Sequence, residues 1–305
     1  MGRSRMIAGV ELGGTKSIAI VAVDGKIVEQ ESFMTGLPSE TLPPLTDWLV
    51  QRRPNDGFAG LGIATFGPVR LDRSEADFGR IMVTPKPGWT DAALVEPLAA
   101  RLLCPVSIDT DVNAAAMAEY RWGAAQGFSS VAYITIGTGI GVGVLVNGQP
   151  VHGRLHSEAG HLSFRRAPGD AFAGVCAFHA DCIEGLLSGP ALAARLGQDP
   201  ATVDAYDERW AHAAYDFAHL LASLLLTLSP QRILIGGGVG LGAPQLLPAA
   251  IALLPGLLGG YLPDLDQATL TAIVRTAGLG DRAGPMGAVA LALDAVEGSR
   301  SDQRP

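Results

Sequence analysis

The chain has 305 residues, 48% of them hydrophobic and 17% charged, with a formal net charge of −8. That length allows two domains with separate cores, and the acidic balance, with a pI near 5.2, argues against a broad basic face for nucleic acid. Three cysteines, an odd number, make no disulfide framework and fit a reducing cytoplasm.

Met1 to Arg5 is polar, and the apolar run at 6–12 is too short for a secretory leader, so none is expected. That run leads into Gly13-Gly14-Thr15-Lys16. A second strand is expected at 17–23 and a third at 26–33, joined by the hairpin signal Asp24-Gly25. A helix follows near 41–53, a strand at 59–64, a helix at 91–103 and a strand at 106–109. Residues 111–122 read as a helix, with Val112, Ala115, Ala116, Glu119 and Tyr120 at near-helical spacing. The opening pattern then recurs. Residues 131–136 are apolar, Gly137-Thr138-Gly139-Ile140-Gly141 turns, 142–146 runs back, and Asn147-Gly148 signals a second hairpin.

Helices are expected at 190–196 and 206–228, then a strand at 232–235 ending in Gly236-Gly237-Gly238-Val239-Gly240. A helix at 245–258, a strand at 269–276 and a helix at 285–296 complete the chain. The stretch 233–263 carries no charge, but Pro244, Pro248, Pro255 and Pro263 interrupt it. It reads as strand, glycine loop and buried helix rather than a membrane span. The repeated unit predicts two similar α/β domains facing a cleft. One doubly wound sheet with added hairpins is the alternative.

His161, Cys176, His179 and Cys182 read H-x14-C-x2-H-x2-C. Two thiolates and two imidazoles suit a closed tetrahedral zinc site, and the thiolates neutralise the ion. The alternative is a chance grouping. A full ligand set leaves no position for an activated water, so the role expected is structural.

Three glycine turns can bring backbone N–H groups close to phosphate oxygens, because no Cβ intervenes. They are Gly13-Gly14-Thr15-Lys16, Gly137-Thr138-Gly139 and Gly236-Gly237-Gly238. Each alone is equally a plain turn; together they point to a nucleotide site. None is a Walker A loop. Asp111 stands where a strand runs into a helix, as a general base for a sugar hydroxyl or as a helix cap. Asn113 is placed to hydrogen-bond a polyol. Glu158 can accept from two sugar hydroxyls or be a solvated loop carboxylate, and His161 can turn its second ring nitrogen to the sugar. Thr84-Pro85-Lys86-Pro87-Gly88-Trp89 either walls a pocket or starts the next helix.

Glu11-Leu12-Gly13-Gly14-Thr15-Lys16, Asp111-Val112-Asn113-Ala114, Ile136-Gly137-Thr138-Gly139-Ile140-Gly141, Glu158-Ala159-Gly160-His161, the Cys/His cluster and Gly236-Gly237-Gly238-Val239 occur together and in this order. The combination resembles the ROK family of sugar kinases, within the actin-like, hexokinase-like ATPase superfamily, over about residues 6–296. The resemblance implies an α/β fold of two actin-like (ribonuclease H-like) domains with a central cleft. A smaller domain is expected at 1–115 plus 285–297, a larger one carrying the zinc at 116–284, and a disordered tail at 298–305. It implies Asp111 as catalytic base, with Asn113, Glu158, His161 and Thr84 at the sugar. Gly13, Gly14, Thr15, Lys16, Thr138, Gly139, Pro190, Gly236, Gly237, Gly238 and Val239 are expected at ATP, with Mg²⁺ on its phosphates.

Thr84 to Trp89 and Cys176-x2-His179-x2-Cys182-x-Glu184-Gly185-Leu186 look like the bacterial fructokinase branch. The implied reaction is phosphorylation of D-fructose by a cytoplasmic homodimer. The alternatives are a kinase for glucose, mannose or N-acetylmannosamine, or a non-catalytic sugar-sensing ROK protein. ROK repressors carry a helix-turn-helix ahead of the first strand, and only about five residues precede it here, so no nucleic-acid partner is expected, nor a membrane. Two positions depart from the family pattern. Glu11 stands where most members have Asp, and Ser157 where a proline is usual.

Overall fold

The computed structural model describes residues 5–301. The elements are β1 (Met6–Leu12), β2 (Lys16–Val23), β3 (Lys26–Met34), α1 (Pro38–Gln51), β4 (Leu61–Thr65), α2 (Val95–Leu102), β5 (Val106–Thr110) and α3 (Asp111–Trp122). Next come β6 (Ser130–Ile136), β7 (Ile140–Val146), β8 (Gln149–Pro150), α4 (Ile183–Leu187), α5 (Gly189–Leu196) and α6 (Trp210–Leu228). The last are β9 (Arg232–Gly236), α7 (Gly238–Gly242), α8 (Leu246–Leu258), α9 (Gln267–Ile273), β10 (Val274–Thr276) and α10 (Ala283–Ser301).

The chain forms two compact units. One holds the chain up to Arg121, Val151–His156 and the chain from Arg282; the other holds Trp122–Pro150 and Ser157–Asp281. The first sheet has the order β3-β2-β1-β4-β5, with β1, β2 and β3 antiparallel and β4 and β5 parallel to β1. The second, read from its hairpin edge, is β8-β7-β6-β9-β10. Its three hairpin strands are likewise antiparallel, and β9 and β10 run parallel to β6. The repeated sequence unit is therefore a repeated sheet, with one glycine turn at the same corner of each.

Near-continuous apolar runs, buried on both faces, explain most of the strands. Ile7, Ala8, Val10 and Leu12 of β1 and Ala19 and Val21 of β2 are buried, with Leu45, Leu49, Ile63 and Leu98 in the same core. In the second unit α6 is the central helix. By length and composition it is apolar enough to cross a membrane, but Phe217, Leu220, Leu221 and Leu224 are core residues packed with Ile134, Ile235 and Leu254. The long uncharged stretch resolves into β9, α7 and α8.

Close backbone approach sets where α10 lies. A Cβ on Gly62 of β4 would stand 2.0 Å from the Ala288 carbonyl oxygen, so α10 runs directly over that strand.

Several boundaries differ from expectation, each for a local reason. The units part at the end of α3, not at 115/116, because α3 is one continuous helix. α2 starts at Val95 rather than 91: Asp91 has φ +64°, and its N–H bonds the Ile81 carbonyl. α1 starts earlier than 41, where Glu40 reaches back to the Leu37 N–H at 3.0 Å. The strand expected at 269–276 is reduced to β10. The Asp266 side chain accepts the Thr269 N–H at 2.7 Å and caps α9 instead. α6 starts at Trp210 rather than 206. α10 continues to Ser301, so 298–301 are helical rather than disordered; 302–305 lie outside the described residues.

Candidate active site

In the first unit, β1, β2 and β5 bring their chemistry to one corner of the sheet. Glu11 is the penultimate residue of β1, and Asp111 is the first residue of α3, directly after β5. Glu11 Oε2 is buried and has no hydrogen-bond partner among the described residues. Burial, and next the negative charge of Asp111, push the Glu11 carboxyl up to about 7, against the opposing pull of Lys16. Asp111 is only partly exposed, and its burial in the surrounding protein also raises it to about 7. The Val112 N–H, donating to Asp111 Oδ1 at 2.9 Å, opposes that rise. Two carboxylates held this way favour a nearby cation or a proton. One is poised to accept a proton near neutral pH.

The first glycine turn is tight. The Gly13 N–H donates to the Lys16 carbonyl at 3.1 Å, and Lys86 donates its ammonium to the Gly14 carbonyl. Lys86 also lies over the Phe66 ring, 5.7 Å from its centroid. The loop of Thr84 and Lys86 is thus tied to the turn of Gly13, Gly14, Thr15 and Lys16. Trp89 neither walls a pocket nor starts a helix. It is fully buried, packs edge-on to Phe66, and donates its indole N–H to the Gly36 carbonyl at 2.8 Å.

Asn113 is held from within the protein through its amide nitrogen. It is 2% exposed, and its amide nitrogen donates to Asp109 Oδ1 at 2.8 Å. A carboxylate only accepts, so the amide must turn its nitrogen that way. The Thr110 N–H donates to the same oxygen at 2.7 Å, and Asp109 Oδ2 takes His152 Nε2 at 2.9 Å. The hydrogen bond that His152 donates to Asp109 raises the His152 pKa, outweighing desolvation. The sequence gives no spacing signal for this pair, which are 43 positions apart.

In the second unit the β6–β7 turn meets two helix starts. The Gly137 N–H donates to the Gly139 carbonyl at 2.9 Å, and the Gly189 N–H donates to the Gly137 carbonyl at 2.7 Å. Pro190 sits in the first turn of α5, behind the Ser188 cap. A Cβ on Gly189 would touch Val239 at 3.4 Å, so Thr138, Gly139, Pro190 and Val239 share one neighbourhood. Gly237 has φ +82° and precedes Gly238, the first residue of α7. Glycine is required there twice over, since a Cβ would also lie 2.4 Å from the Ile136 carbonyl oxygen. Gly236 likewise has no room for a side chain beside Tyr133.

His161, Cys176, His179 and Cys182 converge, all four ligand atoms lying within 4.8 Å of one another. Cys176 Sγ is 3.8 Å from His161 Nδ1 and 3.9 Å from His179 Nδ1, and Cys182 Sγ is 3.5 Å from His161 Nδ1. A tetrahedron with bonds of about 2.3 Å to sulfur and 2.0–2.1 Å to nitrogen has S···N edges of about 3.5–3.6 Å. The donor set and its spacing therefore suit a four-coordinate ion. A metal on Nδ1 of His161 leaves Nε2 for another partner. Glu158 is exposed and precedes a one-turn 3₁₀ helix, Ala159–His161, with its carbonyl taking the His161 N–H at 3.0 Å.

The comparisons with known proteins identify the family. The model of the ROK family matches residues 7–295. The chain is 40% identical over 295 residues to the fructokinase of Zymomonas mobilis, covering 94% of this chain and 96% of that protein. It is 34% identical over 295 residues to the fructokinase of Pediococcus pentosaceus, covering 96% and 99%. Among solved structures, a ROK hexokinase from Thermus thermophilus superposes with a TM-score of 0.74 at 29% identity, covering 96% of this chain and 99% of that one. A ROK glucokinase from Streptomyces griseus, in complex with glucose and AMPPNP, gives 0.70 at 25% identity, covering 95% and 99%. The glycine turns, the Asp111 corner and the Cys/His cluster stand in the same chain that these matches span almost end to end: it belongs to the ROK family of sugar kinases.

Proposed function

We propose that the chain is an ATP-dependent fructokinase that phosphorylates D-fructose at its 6-hydroxyl, with Asp111 as general base. The observation that carries the chemistry is the Asp111 carboxyl at the start of α3, directly after β5, where burial raises it to about 7. Near neutral pH it can take a hydroxyl proton and hold it. The sugar is carried by the fructokinase relatives and by the Thr84–Trp89 and Cys/His segments.

In this reading Gly13, Gly14, Thr15 and Lys16 face phosphate oxygens, and Thr138, Gly139, Pro190 and Gly236, Gly237, Gly238 and Val239 hold the nucleotide. Glu158, His161 and Thr84 bind sugar hydroxyls, while Asn113 serves through Asp109. Mg²⁺ would be held by phosphate oxygens beside Glu11 and Asp111, and would neutralise charge as the phosphoryl group moves. The buried, unpartnered Glu11 Oε2 is a donor that fits it. Zn²⁺ would take His161, Cys176, His179 and Cys182 as a structural ion. Two reduced thiols for a metal suit the cytoplasm, and a homodimer completes the proposal, to be read by light scattering.

The test is ADP release with fructose, glucose, mannose and N-acetylmannosamine. Fructose should give the highest kcat/KM, with mannose weaker. A preference for glucose or N-acetylmannosamine of about tenfold, some 1.4 kcal/mol, would overturn the sugar and keep the kinase. No turnover with any of them would favour a sugar sensor.

A further inference from the structure

The first turn of α10 touches Glu11 in an unusual way. A Cβ built on Gly284 would lie 2.0 Å from Glu11 Oε1, 2.5 Å from its Cδ and 2.9 Å from Oε2. All three nearest atoms belong to one carboxylate. Gly62 and Gly287 are also crowded, but against backbone: the Ala288 carbonyl oxygen at 2.0 Å and the Ala114 carbonyl carbon at 2.6 Å. Backbone in a packed sheet–helix contact cannot yield, so a side chain at 62 or 287 breaks the fold. The Glu11 carboxylate is the end of a flexible side chain and can yield. A methyl group at 284 would therefore leave the fold standing and move the carboxylate.

The neighbourhood gives that movement a consequence. Glu11 Oε2 is already buried without a partner, and its pKa responds to Asp111 and Lys16. Swung aside, the carboxylate changes its distance to both. We propose that Gly284 is a positioning residue, whose missing side chain holds the Glu11 carboxylate in its working place beside Asp111. The proposal rests on the reading of Glu11 as part of the phosphate-handling corner. It assigns to the start of α10, 273 positions away in sequence, control over the end of β1.

The experiment uses four variants of the full chain: Gly284→Ala, Glu11→Asp, the double variant, and Glu11→Gln. The carboxylate in Gly284→Ala must move by more than about 1 Å, and a misplacement of that size costs on the order of 10²-fold in turnover. The expected result is that loss in kcat, with thermal stability unchanged and KM for fructose within about threefold. The shorter Asp withdraws from the added methyl, so Glu11→Asp in the Gly284→Ala background should recover about tenfold or more of the lost kcat. That rescue distinguishes placement of a carboxylate from general damage to α10. Wild-type kcat in Gly284→Ala, or a double variant no better than Gly284→Ala, overturns the proposal while leaving the kinase reading intact. Full turnover in Glu11→Gln would remove the role assigned to Glu11 and the proposal with it.

Discussion

Glu184 accepts the backbone N–H of Ile140 at 3.1 Å, and it stands two residues beyond Cys182. The same carboxylate lies against Gly139, where a Cβ would be 2.7 Å from Glu184 Oε2. The first turn of α4 thus joins the Cys/His cluster to the β6–β7 glycine turn. A metal that fixes Cys182 would fix Glu184, and Glu184 holds the turn proposed to face the nucleotide.

If the Cys/His cluster holds its proposed metal, chelation should raise KM for ATP more than KM for fructose. Glu184→Gln keeps the acceptor oxygen and should act mildly. Glu184→Ala removes the acceptor and leaves the Ile140 N–H without its partner, which costs about 1–3 kcal/mol. Its KM for ATP should rise by about tenfold. Equal effects on the two substrates would mean that the cluster supports the fold without reaching the nucleotide turn.

How far this site could be read from sequence depends on the range of each contact. The glycine turns, Asp111 and the Cys/His set were legible because hairpin signals, a strand-to-helix junction and metal-ligand spacing are local. The duplicated sheet was legible for the same reason, since Asp24-Gly25 and Asn147-Gly148 mark equivalent hairpins. The pair of Asp109 and His152, and that of Gly284 and Glu11, were not legible. Each joins segments far apart in the chain, and nothing local signals which glycine faces a carboxylate. Asn113 shows a contact that local spacing did not signal. Its place beside Asp111 suggested a ligand contact, and its amide nitrogen is also taken by Asp109. Asp266 likewise turned an expected strand into α9 through one capping bond.

Asp111 gives a pH prediction whose sign follows from its raised pKa. Below about 7 the folded protein holds Asp111 protonated, and a protonated base cannot take the hydroxyl proton. The free-enzyme profile of kcat/KM should therefore rise as pH increases through about 7, and not through the ordinary carboxylate range near 4. Stability runs the other way. An unfolded Asp111 ionises near 4, so between about 4 and 7 the folded state binds the extra proton, and stability falls as pH rises through that window. Asp111→Asn removes the charge. It should raise Tm at pH 8 and leave it near wild type at pH 5, while lowering kcat by about 10²-fold or more. A variant with more than half of wild-type turnover would leave Asp111 as a helix cap.

Arg195 carries the last prediction, which concerns the second unit's stability. Its guanidinium lies 2.7 Å from Asp216 Oδ2 and 3.3 Å from Asp170 Oδ2, with all three side chains buried. Arg166 reaches the same Asp170 oxygen at 2.7 Å. Asp216 projects from α6, the core helix, and burial raises its pKa although Arg195 opposes the rise. Removing the cation leaves an uncompensated carboxylate in the core, and breaking a buried pair from one side costs about 3–5 kcal/mol. Arg195→Leu should therefore lower Tm strongly. The loss should be larger at pH 8, where Asp216 must ionise without its hydrogen-bonded Arg195, than at pH 5, where a further raised pKa lets it stay protonated. Adding Asp216→Leu to that variant removes the stranded charge, so part of the stability should return. Thermal melts of the two variants at both pH values read this directly. Equal losses at pH 5 and pH 8, with no recovery in the double variant, would show that Arg195 contributes packing rather than charge.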